Sequence, residues 1–309
     1  MRFTLRQIEY FIAAGETGSI THASERINIS QPSISTAISQ LEQELGVQLF
    51  VRHHAQGLSL TPVGRVILAE SKRLTSQAES LYAVAAEATG EVRGHLSLGC
   101  FVTLAPMVMP EFSHSFTAAF PATQIQHSVG DHEQILRSLR QVEIDIAVAY
   151  DLEVPDDISF HPLTRLPVHV VVHEGHPLAD RAAVSLKELA TEPLILLDLP
   201  LSRDYFLALF LKEGLSPRVA ARSAHQEVVR TMVANGYGYT LANVRPRSNV
   251  ALDGRPLRRV RLAGDHRPMT MGLATLSSLR KSRLVEAFET HCAKLVAGGD
   301  IPGMVAPEG

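Results

Sequence analysis

The chain has 309 residues, 29 basic and 32 acidic, with a net charge of −3, a hydrophobic share of 45% and a charged share of 20%. That length accommodates two or three compact units, and the composition supports a well-filled core. It excludes a membrane-spanning chain, because no apolar run approaches the roughly 18–20 residues such a helix needs.

The opening residues Met1-Arg2-Phe3-Thr4-Leu5-Arg6-Gln7 carry charge where a secretory leader requires an apolar run, so a cytoplasmic protein without membrane contact is expected. Cys100 and Cys292 lie far apart and show no ligand spacing, which reads as two buried, inert thiols. The net charge gives no sign of nucleic-acid binding, so that evidence has to come from local organisation.

Thr4 and Gln7 form a capping box in front of Leu5, Ile8, Phe11 and Ile12, which recur at helical spacing; Gly15 and Gly18 are expected to stop this first helix. A second short helix follows Ser19, with Ile20, Ala23 and Ile27 on one face and a turn at Ile29-Ser30. A third begins near Ser30-Gln31-Pro32, proline suiting the first turn, and ends at Gly46. Its stripe of Ile34, Ile38, Leu41 and Leu45 points inward. The opposite side carries Pro32, Thr36, Ser39 and Gln43, with Ser35 and Gln40 at the edges, small hydroxyl and amide groups where a merely solvated helix would carry Glu and Lys.

Leu49–Arg52 and Leu58–Leu60 alternate like two strands around a glycine-containing hairpin. Thr61-Pro62 opens a long helix to about Ala88, in which Ile67, Leu74 and Leu81 repeat every seven residues with Ala78 and Ala85 offset, a seam suited to pairing with a second copy. Thr89-Gly90 and Gly94 mark a linker. Beyond it, Leu96–Cys100, Ile144–Tyr150, Val168–Val172, Leu194–Leu197 and Met271–Ala274 read as strands alternating with helices, which predicts parallel α/β units. The Gly/Pro-rich tail is expected to be flexible.

Three helices and a β-wing can present one helix to the major groove, where small polar side chains approach base edges and phosphates closely. Against this stands the charge count of the first 61 residues, where Arg2, Arg6, Arg26 and Arg52 are outnumbered by Glu9, Glu16, Glu25, Glu42 and Glu44.

The same region resembles the LysR-type transcriptional regulators. The resemblance rests on Phe11, Gly18-Ser19-Ile20-Thr21, Ala23, Ser30-Gln31-Pro32-Ser33-Ile34-Ser35, Ile38, Leu41-Glu42, Leu45-Gly46, Leu49-Phe50, Arg52 and Leu60-Thr61-Pro62-Val63-Gly64. It continues more weakly through Gly99, Pro110, Phe120-Pro121, Glu143–Ala147 and His176-Pro177-Leu178-Ala179. It implies a multidomain chain: an all-α winged helix-turn-helix at 1–61 and a linker and dimerisation helix at 62–89. Next comes an α/β effector-binding domain at 90–295, built like a periplasmic binding protein, with subdomain I at 91–161 and 268–295 and subdomain II at 162–267. A flexible tail at 296–309 completes it.

The implied partners are double-stranded DNA carrying an interrupted palindrome and a second copy joined through the linker helix, commonly assembled into a homotetramer; contact with RNA polymerase is open. No cofactor and no metal are implied, only a small-molecule effector.

Carried over by position, Gln31, Pro32, Ser33 and Ser35 would touch bases or backbone, joined on the outer face by Thr36 and Ser39, and Arg52 in the wing would touch a phosphate. Thr36 and Ser39 stand where the family often has basic residues, so fewer phosphate contacts and a shallower salt dependence are expected.

In the sensor, Thr103 and Ser202 match effector-contacting positions near helix N-termini, which favour anions. Asp131 matches another, and Arg203 lies beside Ser202. Asp131 and Arg203 either grip an effector bearing both amine and carboxylate or pair with each other. Tyr150, Thr240 and Asn243 lie at strand ends facing the same cleft. His53-His54 and His173-Glu174-Gly175-His176 lack partners at metal-ligand spacing. An enzyme is the first rival reading, but no nucleophile elbow, zinc-protease or phosphate-loop motif occurs; a solute-binding protein is the second.

Overall fold

A computed structural model of the chain describes residues 3–53, 57–87, 91–297, 301 and 303–304. The chain divides into two compact units, Met1–Glu91 with Arg140–Glu143, and Val92–Leu139 with Ile144–Gly309.

In the first unit, α1 (Leu5–Thr17) starts at the expected capping box: the Thr4 hydroxyl accepts from the Gln7 N–H, and the Gln7 amide oxygen accepts from the Thr4 N–H. It ends at Gly18 in the left-handed conformation. Gly15 does not stop it. A Cβ there would lie 3.2 Å from Leu68 Cδ1, so glycine's small size, not its freedom, is what the position uses to let helices close up.

Helix α2 (Ile20–Ile27) is capped by Ser19, and α3 (Gln31–Leu45) by Ser30, with Gly46 left-handed at its end. Strands β1 (Phe50–His53) and β2 (Gly57–Leu60) pair antiparallel. The wing is fastened near its turn, where the Leu58 N–H donates to Gly18 O at 2.7 Å. Gly57 is there by necessity: its φ is +87°, and a Cβ would come within 2.6 Å of the Gly18 carbonyl.

Helix α4 (Pro62–Glu87) follows, its first turn capped by Thr61, whose hydroxyl accepts from the Gly64 N–H at 2.9 Å. One apolar cluster, centred on Phe11, Ile34, Leu41 and Leu49, unites these elements, and Ile67, Leu68 and Leu74 of α4 pack against it. The heptad positions therefore divide. Ile67 and Leu74 are spent within the unit, while Leu81 is 69% exposed. Thr89 and Gly90 of the expected linker, and the side chain of Ala85, lie outside the described residues.

The second unit holds two sheets. In the first the order is β4-β3-β5-β13-β6, formed by β3 (Gly94–Phe101), β4 (Thr123–Gly130), β5 (Ile146–Tyr150), β6 (Ile158–Leu166) and β13 (Met269–Leu276). Strands β4, β3 and β5 are parallel, but β13 runs antiparallel to both β5 and β6. The second sheet has the order β11-β7-β12-β8, from β7 (His169–His173), β8 (Ala183–Val184), β11 (Thr240–Ala242) and β12 (Leu257–Leu262). Here β7 is antiparallel to both neighbours and β12 is parallel to β8. Beside it β9 (Pro193–Leu197) and β10 (Arg218–Ser223) pair in parallel, with a bridge from Leu194 to Tyr239.

The expected parallel α/β units are present within sheets that are mixed overall. The antiparallel strands are those through which the chain passes from one sheet to the other, between Leu166 and His169 and again between Leu262 and Met269. β6 keeps pairing with β13 as far as Leu166, so the first crossing falls later than the boundary expected at 161/162.

Helices α5 (Ala105–Ala119), α6 (His132–Arg140), α7 (Leu186–Leu189), α8 (Ser202–Lys212), α9 (Gln226–Ala234) and α10 (Arg283–Val296) complete the unit. Cys100 and Cys292 are fully buried, and burial pushes both thiols up, as inert thiols require.

The expected flexible tail is corrected in part. Ile301 and Met304 are buried, the Arg247 N–H donates to Gly303 O, and Met304 bridges to Pro246. Gly303 has φ +70°, and a Cβ would lie 2.2 Å from Met107 O. Two apolar side chains and this close approach hold the segment against α5 and the Pro246 loop. The other residues beyond Ala297 lie outside the described set.

Candidate nucleic-acid interface and effector cleft

Helix α3 is anchored by Ile34, Ile38 and Leu41, none more than 2% exposed. Each such side chain stabilises by about 1.5–3 kcal/mol on burial, which fixes the rotation of the helix about its own axis. That rotation leaves Gln31, Pro32, Ser33, Thr36 and Ser39 exposed and Ser35 half-buried, so the six come together on one outward surface. Ser30 and Ser33 share a 2.7 Å hydroxyl–hydroxyl bond at the start of the helix, which ties part of that surface to the cap. Arg52 is exposed on β1.

The unfavourable charge count softens in three dimensions. Glu16 is bound by Arg26 at 2.6 Å and Lys72 at 2.9 Å; burial favours its neutral form, but the two cations outweigh this and hold the carboxyl below its ordinary value. Glu42 turns inward, its Oε1 accepting from the Leu49 N–H at 2.7 Å and the Phe50 N–H at 3.2 Å. Sequence reasoning placed Glu42 in a motif without seeing this role as the clasp between α3 and the wing.

In the second unit a cleft with about 520 Å³ of empty space, its open mouth included, brings Thr103, Tyr150, Ser202 and Thr240 together. Its apolar walls come from Val171, Leu197, Phe206, Val229 and Met269, and its further polar groups from Gln226, Arg230 and Asn243. Thr103 Oγ1 and Tyr150 Oη lie 2.9 Å apart in a buried bond. Burial pushes the Tyr150 phenol up, against a smaller lowering from Thr103, so it stays protonated at neutral pH.

Two expected members are absent from this lining. Asp131 caps α6, accepting from the Gln134 N–H at 2.9 Å while its own N–H donates back to the Gln134 amide oxygen. Arg203 pairs with Asp198 at 3.0 Å and Asp204 at 3.1 Å. They neither form the two poles of an amine-and-carboxylate site nor pair with each other. Each is committed to a neighbour in its own segment.

A pattern of caps distinguishes the cleft. Side chains cap α1, α2, α3, α4, α6, α7 and α10, through Thr4, Ser19, Ser30, Thr61, Asp131, Ser185 and Ser282. α5, α8 and α9 have no side-chain cap. These three start beside or at Thr103, Ser202 and Gln226, all of which line the cleft. Uncapped N-termini leave backbone N–H donors and the positive end of the helix dipole for an anion.

The acidic residues in the first turns of α8 and α9 are already engaged, Asp204 with Arg203 and Glu227 with Arg230. Arg230 is the one charged residue of the lining; it is 7% exposed and donates to the carbonyls of Ser248 and Val250. Gln226 and Arg230 escaped sequence reasoning, and the available signal was negative, a helix start without Ser, Thr, Asp or Asn at its cap. Elsewhere in this unit the rings of His173 and His176 lie edge to face at 5.3 Å. Among the described residues no group of three or more His, Cys, Asp or Glu could hold a metal ion, and no helix is long and apolar enough to cross a membrane.

An outward polar helix face on one unit and a lined cleft in the other are the two parts that a ligand-responsive DNA-binding regulator requires. The family model described as a bacterial regulatory helix-turn-helix protein of the lysR family matches residues 5–65, and that of the LysR substrate binding domain matches residues 89–297. The chain belongs to the LysR family of transcriptional regulators, with a helix-turn-helix DNA-binding domain and a C-terminal effector-binding domain.

It is 32% identical to the transcriptional regulator CysB of Burkholderia cenocepacia over 73% of each chain. It is 29% identical to the regulator YvbU of Bacillus subtilis, covering 82% of this chain and 84% of that one. The crystal structure of HinK, a LysR family regulator from Pseudomonas aeruginosa, is 34% identical, with TM-score 0.65, covering 95% of this chain and 98% of that one.

Proposed function

We propose that the protein binds operator DNA by inserting α3 into the major groove, with Gln31, Pro32, Ser33, Ser35, Thr36 and Ser39 facing bases and backbone and Arg52 of the wing on a phosphate. The supporting observation is the outward hydroxyl- and amide-bearing surface of α3 above its buried Ile34/Ile38/Leu41 stripe. Two copies joined through the distal part of α4, where Leu81 is exposed, would present two such helices to an interrupted palindrome, and pairs of dimers would form a tetramer.

The cleft takes a small organic acid, its carboxylate against the uncapped starts of α5, α8 and α9, and occupancy alters DNA bending and transcription. The protein acts by binding, not catalysis, in the cytoplasm, with no cofactor. Gel shifts with the protein's own upstream region against scrambled duplex test the reading. Specific DNA should bind at least about a thousandfold more tightly at physiological salt, and equal affinity for both duplexes refutes it.

A further inference from the structure

The cleft asks for more than a negative charge. Asn243 lines it at 4% exposure, and its Oδ1 is buried without a hydrogen-bond partner. The orientation of the amide is fixed from its other end, where Nδ2 donates to Leu166 O at 2.8 Å; turning it over would set two carbonyl oxygens against each other. The unpartnered atom of this cleft-lining residue is therefore an acceptor. Gln226, at the start of α9, adds a second buried amide oxygen without a partner. A buried acceptor left unmatched is costly, so a ligand that supplies a donor there is favoured over one that does not.

The charge balance decides what kind of donor. Among the described residues the lining contains Arg230 and no carboxylate, and the neighbouring Glu227 is already paired with Arg230 at 3.4 Å. An ammonium group would lose its hydration without gaining a counter-charge, whereas a hydroxyl or amide N–H needs none. We infer that Asn243 is a specificity-determining residue that selects organic acids bearing a neutral hydrogen-bond donor, hydroxy acids foremost, over acids without one. The inference rests on the cleft's being the effector site.

The test is calorimetry on the full-length protein with matched probes: phenylacetate and mandelate, butanoate and 3-hydroxybutanoate, and the neutral mandelamide. The hydroxy acid of at least one pair should bind about tenfold or more tightly than its partner, mandelamide should bind more weakly than mandelate, and Asn243→Ala should bring the pair to near-equal affinity. Because Asn243 also bonds the Leu166 carbonyl, the variant's thermal unfolding is recorded; if it is destabilised, the wild-type ratio decides alone.

Equal or tighter binding of the plain acid in every pair overturns the inference, as does a preference that survives in a folded Asn243→Ala. No binding of any probe acid at about 10 mM overturns it too, and leaves the DNA-binding reading intact if specific gel shifts persist. Loss of DNA discrimination is the separate failure of the regulator reading.

Discussion

Replacing Glu42 by alanine should loosen the wing's attachment to α3. In the native fold one carboxylate oxygen receives two backbone N–H groups, from Leu49 at 2.7 Å and Phe50 at 3.2 Å, and both residues are buried. Hydrogen bonds to charged groups contribute about 1.5–3 kcal/mol each, and orphaned buried donors cost a similar amount. Two bonds to one oxygen do not add fully, so Glu42→Ala should cost about 2–4 kcal/mol. Glu42→Gln keeps an acceptor without the charge and should cost about 1 kcal/mol.

Urea unfolding of the full chain, followed by circular dichroism, reads the transition of the N-terminal unit, and gel shifts read its consequence for DNA. Affinity should fall in Glu42→Ala beyond the loss of folded protein, because the wing and Arg52 would be less firmly held to α3. A cost below about 0.5 kcal/mol, or Gln as damaging as Ala, would refute this account of the clasp.

Further predictions concern the second unit and the interface. Burial pushes the His169 imidazole down to about 3, assisted by the nearby Arg245 and Arg259. The unfolded chain therefore binds a proton below about pH 6.5 that the folded one refuses, and stability falls as pH falls from there towards 3. At pH 5 this one group should cost about 2 kcal/mol relative to pH 7.5, and His169→Leu should flatten that part of the pH profile in thermal melts.

Ending the chain after Ala297 removes the buried Ile301 and Met304; their burial is partly offset by the cost of ordering the segment, leaving a net loss of about 1 kcal/mol. The melting temperature should drop by about 2–4 °C, and an unchanged value would show that the segment adds nothing. Arg52→Ala should lower the slope of log affinity against log salt by about 0.9, measured by fluorescence anisotropy; an unchanged slope removes Arg52 from the phosphate contacts.

The first unit was legible in the sequence because its determinants are local. Thr4, Ser19 and Ser30 announce helix starts, Gly18 and Gly46 announce ends, and the Ile34/Ile38/Leu41 stripe orients α3. The strands that sequence reasoning missed are those without an apolar run. β4 carries Gln124, Gln126 and His127 at the sheet edge, β6 contains Pro162, β10 carries Arg218 and Arg222 around a short Val-Ala-Ala run, and β12 is interrupted by Arg258, Arg259 and Arg261.

Of the cleft lining, Thr103 and Ser202 were placed by the family resemblance, and Tyr150, Thr240 and Asn243 by their positions at strand ends. Asp131 and Arg203 fall outside this lining, because residue type does not reveal which neighbour engages a charge; the Gln134 N–H and Asp198 do so here. Gln226 and Arg230 reach the cleft only through tertiary packing of α9, which no local pattern encodes.

The burial of Ile67, Leu68 and Leu74 in the same cluster as α1 and α3 has a mechanical consequence. The proximal half of α4 shares one core with α3, and close packing resists movement of either without the other. If α3 enters a DNA groove as proposed, a small twist of the proximal part of α4 would change the angle at which it does so.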